Sequence, residues 1–273
     1  MLVSLPVAIL FIMLILTYIV FITRLNSCRQ RNKQPRASRR PGTPTRLLVI
    51  LGSGGHTAEM LSLLRDLDCR KYTHRSYVVS SGDAFSIGRA QEFEEGLRRQ
   101  AVQRVLNNGG KMKVAELGDA GFYGSYDVGV VPRARRIHQS LLTTPLTALN
   151  CLWACVGVLR RPIITVPATT NSGTRRQNDQ ATRECRNYPD LVLANGPATS
   201  VVVILAALIL RFLALPGTKN KMRTIYVESW ARVRRLSLSG KILLRVVDRF
   251  IVQWEGLVQA TGSKAQYLGV LVS

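Results

Sequence analysis

Short apolar runs alternate with longer mixed segments over most of the chain. Six short segments with apolar or aromatic residues at their centres are predicted to be strands, and they cover residues 46–52, 76–80, 126–131, 190–194, 223–228 and 249–254. The first of these segments contains a continuous apolar run that ends in a glycine, which is typical of a strand buried on both faces of a parallel sheet. Helical spacing follows the first run, at Met60, Leu63, Leu64 and Leu67. This alternation predicts an α/β fold with a single doubly wound parallel sheet in one Rossmann-like domain, over residues 46–273.

The first apolar segment is different, because residues 2–22 contain no charge at all. About 20 helical residues cross the ~30 Å hydrocarbon core of a bilayer. A cleaved signal peptide would need a basic start and a shorter apolar stretch of roughly 7–15 residues. No basic residue precedes this run. The pattern therefore predicts one N-terminal transmembrane helix, a signal anchor over residues 1–23.

Positive charge is concentrated directly after this segment. The chain has 273 residues, 38 Lys or Arg and 16 Asp or Glu, which gives a net charge of +22. Eight of the basic residues lie between Arg24 and Arg46, and the first acidic residue is Glu59. Residues 24–45 are predicted to form a basic juxtamembrane linker, with the N-terminus lumenal and the following domain cytosolic. A nucleic-acid-binding tail is the alternative, but the position after a spanning helix favours anionic lipid.

Composition excludes several classes of protein. Apolar residues make up 47% of the chain, which is too many for a disordered protein, and five Cys are too few for a disulfide scaffold. Cys151 and Cys155 lie one helical turn apart, and core packing explains them better than a metal site. Residues 141–159 and 201–210 are apolar but too short to span a bilayer. Buried crossover helices are expected there, with a position on the membrane surface as the alternative.

A glycine-rich turn joins the first predicted strand to the first helix. Residues 52–57 read Gly-Ser-Gly-Gly-His-Thr. Glycines allow close backbone approach to a ligand, and a helix N-terminus favours an anion such as a phosphate. A tight turn that only packs the helix is the alternative. The dinucleotide pattern would need a third glycine where Thr57 stands, and the Gly-Lys-Ser/Thr of a phosphate-loop NTPase is absent from the turn.

His56 lies at this helix start, where it would face the strand ends. It is one of three histidines, and it is a candidate general base or a donor to a phosphate. A hydrogen-bonded structural histidine is the alternative. No group of His, Cys, Asp and Glu has metal-ligand spacing, so neither a metal nor a cofactor is predicted.

Several motifs resemble one family in the same order. They are Gly-Ser-Gly-Gly-His-Thr-Ala-Glu-Met at 52–60, Pro-Arg-Ala-Arg-Arg-Ile-His-Gln-Ser at 132–140, Asn-Gly-Pro-Ala-Thr-Ser at 195–200, Tyr-Val-Glu-Ser-Trp-Ala-Arg-Val at 226–233 and Asp-Arg-Phe-Ile-Val-Gln-Trp at 248–254. The chain resembles the membrane-anchoring subunit of the heterodimeric UDP-N-acetylglucosamine transferase of the endoplasmic reticulum. That family is similar to the amino-terminal half of the GT-B glycosyltransferase MurG.

The resemblance implies a function shared between two chains. This chain would anchor a catalytic, UDP-GlcNAc-binding subunit at the endoplasmic reticulum membrane. It would also present dolichol-diphosphate-GlcNAc, which receives its second GlcNAc in N-linked glycosylation. The chain would be inactive alone. The alternative is a self-sufficient membrane-tethered nucleotide-sugar enzyme, which would bind UDP-GlcNAc tightly without a partner.

The resemblance also assigns roles to residues. His56 matches the histidine proposed as the base in MurG-like enzymes. The residues expected to contact the acceptor diphosphate are Gly54, Gly55, Thr57, Arg133, Arg136, Asn195, Gly196 and Glu228. The apolar C-terminal tail is expected to dock on the partner through Leu268, Val270, Leu271 and Val272, and a last strand of the sheet is the alternative for this segment.

Overall fold

The computed structural model describes residue 23 and residues 45–107, 123–134, 139, 144–161, 188–196 and 198–271. Except for Thr23 and Thr45, the predicted anchor over 1–23 and the predicted linker over 24–45 lie outside the described residues. Within the described ranges, no helix combines the length and the apolar character that crossing a bilayer requires.

The described chain forms one seven-stranded sheet with helices on both faces. The strands are β1 (Arg46–Leu51), β2 (His74–Ser80), β3 (Ser125–Val131), β4 (Leu191–Asn195), β5 (Arg223–Val227), β6 (Arg249–Val252) and β7 (Gln266–Tyr267). The helices are α1 (Gly55–Leu63), α2 (Ala84–Asn107), α3 (Thr144–Leu159), α4 (Thr199–Phe212), α5 (Leu238–Leu243) and α6 (Gly256–Ala260). The single α/β sheet confirms the predicted fold class, and each of the six predicted strands overlaps an observed one.

The strand order is β3-β2-β1-β4-β5-β6-β7, and all pairs are parallel. The order reverses between β1 and β4, because β2 and β3 lie on one side of β1 while β4 to β7 lie on the other. In a doubly wound sheet, ligands bind outside the carboxyl ends of the strands at this reversal. A ligand site is therefore expected at the loops that follow β1 and β4.

Alternate residues of β1 supply two separate cores. Leu47, Val49 and Leu51 pack on the face covered by α1, which contributes Met60 and Leu61. The opposite face of β1 is covered through α3 and α4, whose buried residues pack with Leu48 and Ile50 of β1; they include Cys151, Cys155, Val203, Ile204 and Ala207. Because both faces are buried, residues 47–51 of β1 are all apolar, which explains the unbroken apolar run after Arg46.

The two short apolar segments, 141–159 and 201–210, correspond to the helices α3 and α4, which connect strands of the sheet. In α4, residues such as Val203 and Ile204 are buried in the core. In α3 one face is buried, and the predicted core packing of Cys151 and Cys155 is confirmed. The other face of α3 exposes Leu146, Leu149 and Trp153, which are 72%, 64% and 80% exposed. The contact of this face with a membrane surface stays the alternative for this segment.

A buried ion pair ties α2 to the sheet. The Arg75 guanidinium donates two hydrogen bonds of 2.7 Å to the carboxylate of Glu94, and the Tyr77 hydroxyl donates a third, of 2.6 Å. Arg75 and Glu94 are almost completely buried. Burial by itself would lower the pKa of Arg75, but the hydrogen bonds and charge of Glu94 outweigh it and raise that pKa. Each charge is therefore stable only in the presence of the other.

Replacement of Glu94 by alanine should lower the free energy of unfolding by about 3–5 kcal/mol, because Arg75 is left buried without its counter-charge. Urea unfolding of the full chain in detergent, followed by tryptophan fluorescence, measures this change. The control is Glu92→Ala on the same helix, since the Glu92–Arg89 pair is exposed; its effect should stay below about 1 kcal/mol. Equal losses in the two variants would contradict the structural role of the buried pair.

Candidate active site at the reversal of the sheet

The glycine turn lies at the reversal of strand order, between β1 and the N-terminus of α1. Gly54 caps α1 with φ +60° and ψ −122°, a conformation that only glycine adopts readily. Gly54 and Gly55 are exposed. The first amides of a helix have no carbonyl partner within the helix, and its dipole favours an anion there. These two predicted diphosphate-binding residues therefore lie where an anion would be stabilised.

Thr57 holds the turn together from inside. It is fully buried, its hydroxyl donates to the Gly52 carbonyl, and its Oγ1 lies 2.7 Å from Ser86 Oγ. Ser86 in turn donates to Asp83 at 2.7 Å. These contacts engage the Thr57 side chain with protein groups, and its predicted contact with a diphosphate stays a prediction.

His56 fits between two glycines that follow β1 and β4. A Cβ on Gly52 would lie 2.7 Å from His56 Cβ, and a Cβ on Gly196 would lie 2.8 Å from His56 Cγ. Both distances are shorter than real side chains tolerate, so glycine at these positions makes room for the imidazole. The His56 side chain is 32% exposed, which leaves part of the ring accessible to a ligand.

Glu59, one turn further along α1, is the central acceptor of the site. Its Oε1 accepts hydrogen bonds from the Ser229 hydroxyl at 2.9 Å and from the Trp230 amide at 3.2 Å. Its Oε2 accepts one from the Asn195 side chain at 3.3 Å and lies 3.6 Å from His56 Nδ1. Burial would raise the pKa of Glu59, but His56 and the hydrogen bonds of Ser229 and Trp230 outweigh it and lower that pKa. Glu59 is therefore a carboxylate.

Asn195 connects β4 to the turn. Its side-chain amide donates to the His56 carbonyl at 2.9 Å as well as to Glu59, and its Oδ1 is buried with no hydrogen-bond partner among the described residues. The next residue, Gly196, has φ +76°, and its carbonyl accepts a 3.1 Å hydrogen bond from the Tyr226 hydroxyl. The structure thus brings the predicted residues Asn195, Gly196 and His56 into direct contact.

Glu228, at the end of β5, faces inward. It is 1% exposed, and its Oε2 accepts from the amide and hydroxyl of Ser237 at 3.2 and 3.1 Å. Burial raises the pKa of Glu228, and the hydrogen bonds from Ser237 only partly offset this. The side chain fixes the start of α5 to the end of β5, because Ser237 is the N-cap of that helix. Its contact with a diphosphate stays a prediction.

Arg133 follows β3, on the other side of β1 from Asn195. Its Nε donates to the Ser81 carbonyl at 2.9 Å, which ties the ends of β2 and β3 together. The structure does not bring Arg133 into the cluster around His56, and Arg136 lies outside the described residues. The diphosphate contacts of both arginines stay predictions.

The predicted docking tail follows β7. Leu268 and Val270 are exposed, and the Leu271 amide donates to Gln253 Oε1 at 3.3 Å. Gln253 also donates to the Glu228 carbonyl at 3.1 Å, so the tail is connected to the end of β5. Val272 lies outside the described residues.

Sequence reasoning missed the part that Glu59, Ser229 and Trp230 play in this site. Glu59 follows His56 by three residues, a spacing that places two side chains on the same face of a helix, so the signal was present. Ser229 and Trp230 directly follow the predicted strand at 223–228, but their contact with Glu59 depends on the pairing of β4 with β5 and cannot be read from the sequence. Over the ranges that the structure covers, no three His, Cys, Asp or Glu side chains are grouped as metal ligands.

Alanine at Gly196 should destabilise the fold by about 1–3 kcal/mol, because its positive φ is unfavourable for an L-residue and its Cβ would collide with the imidazole. Thermal unfolding of the full chain in detergent measures this. Gly88→Ala in α2 is the matched control, since a Cβ there meets nothing within 4 Å; it should be neutral or stabilising by up to about 1 kcal/mol. A neutral Gly196→Ala would show that the close packing against His56 does not matter.

Among solved structures, MurG from Acinetobacter baumannii is similar over 77% of this chain and 41% of its own, with 11% identity and a TM-score of 0.40.

The sequence similarity to known proteins extends over nearly all of the residues that form the sheet. The family described as "Oligosaccharide biosynthesis protein Alg14 like" matches residues 47–271. The UDP-N-acetylglucosamine transferase subunit alg14 of Aspergillus fumigatus is 40% identical, over 78% of this chain and 100% of that protein. The Schizosaccharomyces pombe subunit of the same name is 38% identical over 82% of each chain, and the human subunit ALG14 is 34% identical over 83% of this chain and 82% of its own. The chain therefore belongs to the Alg14 family.

Proposed function

We propose that this chain is the anchoring, acceptor-presenting subunit of a heterodimeric UDP-N-acetylglucosamine transferase. The observation that carries the proposal is the family match over residues 47–271, which covers all of the described sheet except Arg46. Relatives that align over most of both chains are named as subunits of that transferase. The name "subunit" supports the need for a second, catalytic chain that binds UDP-GlcNAc.

The geometry at the reversal of the sheet suits the acceptor side of this reaction. The acceptor is dolichol-diphosphate-GlcNAc, whose diphosphate would approach the exposed Gly54 and Gly55 at the N-terminus of α1. His56, beside them and partly exposed, would take the proton of the acceptor hydroxyl. The hydroxyl oxygen forms a bond to the anomeric carbon of UDP-GlcNAc. The bond between that carbon and UDP breaks, and UDP leaves with the electron pair.

The donor half of the cleft would be supplied by the catalytic subunit. The exposed Leu268 and Val270 give it an apolar docking surface, as the sequence resemblance implies. Through Leu271 and Gln253 this tail is hydrogen-bonded to the end of β5, next to Ser229 and Glu59. A partner docked on the tail would therefore lie close to the candidate active site.

The proposed location is the endoplasmic reticulum membrane, with a single N-terminal span, a lumenal N-terminus and a cytosolic domain. The uncharged residues 2–22 and the basic residues after them support this orientation. Tethering confines the domain and its lipid-linked acceptor to one surface, which raises their effective concentration. The exposed apolar face of α3, followed by the exposed Arg160 and Arg161, suits contact with an anionic lipid surface.

The division into two subunits predicts activity only in the pair. The full chain, purified alone in detergent, should transfer no sugar from UDP-GlcNAc to a short-chain polyprenyl-diphosphate-GlcNAc, whereas the chain co-purified with its catalytic partner should do so. In the pair, His56→Ala should lower kcat by about 10²–10⁴-fold, because the base is lost, and partner capture should be unchanged.

The matched control for this assay is His74→Ala, since His74 lies at the opposite, amino end of the sheet and bonds to Ser125 and Asp127. Two results would contradict the proposal. Efficient turnover or tight UDP-GlcNAc binding by the isolated chain would favour the self-sufficient enzyme, and wild-type rates in the His56→Ala pair would remove His56 from catalysis.

Removal of residues 1–23 should make the chain and its bound partner extractable from microsomes by alkaline carbonate, because the spanning helix is lost. The full chain should resist the same treatment. As a control, an unrelated single-pass anchor of the same orientation in place of residues 1–23 should restore resistance. A truncated chain that still resists carbonate would show that another segment is inserted in the bilayer.

A further inference from the structure

One ring nitrogen of His56, Nδ1, is buried without a hydrogen-bond partner among the described residues. The facing group is Glu59 Oε2, which lies 3.6 Å away, just beyond hydrogen-bonding distance. An unpaired buried nitrogen is costly, and a small rotation of the imidazole would bring the two atoms within about 3 Å.

Glu59 is held in place by two other strands. Oε1 is engaged by Ser229 and Trp230 after β5, and Oε2 by Asn195 at the end of β4. The carboxylate is mostly buried, with 15% of the side chain exposed. Few other orientations are open to it, because three hydrogen-bond donors at the ends of two strands surround it. The oxygen that faces His56 is therefore fixed by the fold rather than by the helix alone.

We propose that Glu59 is a positioning residue for the transfer reaction, and that its Oε2 accepts the Nδ1 proton of His56. This role rests on the function proposed above. With the proton fixed on Nδ1, the lone pair of the imidazole is on Nε2, which then accepts the proton of the acceptor hydroxyl. Glu59 stays a carboxylate throughout. It stabilises the imidazolium that forms when His56 takes the proton.

Glu59→Gln separates this role from a structural one. The amide oxygen of glutamine can still accept hydrogen bonds from Ser229 and Trp230, but the charge and one acceptor oxygen are lost. Ser229→Ala does the reverse, because it removes one tie and leaves the carboxylate facing His56. Glu92→Gln, on the exposed face of α2, controls for the loss of a glutamate elsewhere.

The assay uses the full chain with its catalytic partner in detergent, UDP-GlcNAc and a short-chain polyprenyl-diphosphate-GlcNAc. Glu59→Gln should lower kcat by about 10- to 100-fold while both KM values stay within about twofold. Ser229→Ala should lower kcat by less than about threefold. In the double variant with His56→Ala, Glu59→Gln should cause no further loss of kcat, because Glu59 acts only through His56.

A second measurement does not depend on turnover. The imidazole ¹⁵N chemical shifts are measured on the complex of the two subunits, and the His56 signals are assigned by their disappearance in His56→Ala. They should show the Nδ1–H form in the wild type and a mixture of tautomers in Glu59→Gln. Three results would overturn the inference: a wild-type tautomer in Glu59→Gln, equal losses of kcat in Glu59→Gln and Ser229→Ala, or additive losses in the double variant. A wild-type pair that transfers no sugar would instead overturn the proposed function, and the ¹⁵N result would still decide whether Glu59 orients His56.

Discussion

The pairing of β1 with β4 is the constraint on which the site depends. These strands are distant in sequence, yet their parallel register places Ile50 beside Ala194. The loops that leave their carboxyl ends must therefore run side by side. Gly52 and Gly196 are both close enough to His56 that a Cβ would collide with its side chain. A change in this register would separate the histidine from Asn195 and remove the packing that orients it.

The polar groups of the site act as ties between loops as well as candidate chemical groups. Glu59 accepts hydrogen bonds from the ends of β4 and β5, and Asn195 reaches both Glu59 and the backbone of His56. Glu228 connects β5 to α5 in the same way. Each buried carboxylate is surrounded by donors, which lowers the cost of removing it from water. These hydrogen bonds hold the loops in place below the exposed glycine turn.

Two groups of exposed apolar residues of the described chain lie on α3 and after β7. The candidate acceptor side lies where α1 begins, and the apolar tail after β7 is connected to the same region through Gln253. The exposed apolar face of α3 contains Leu146, Leu149 and Trp153 and lies on the side of the sheet opposite α1.

The sequence by itself determined the α/β class, the six longer strands and the glycine turn, because the centres of buried parallel strands are mostly apolar and a tight turn to a helix needs glycine. It also singled out His56 and Asn195, through local motifs. Only the tertiary structure decided that Glu59, Ser229 and Trp230 join them, that Thr57 and Glu228 are engaged inside the protein, and that Arg133 lies apart. The physical reason is that local patterns record backbone preference and burial, whereas contacts between loops depend on which strands are neighbours, and that is fixed only when the whole sheet has formed.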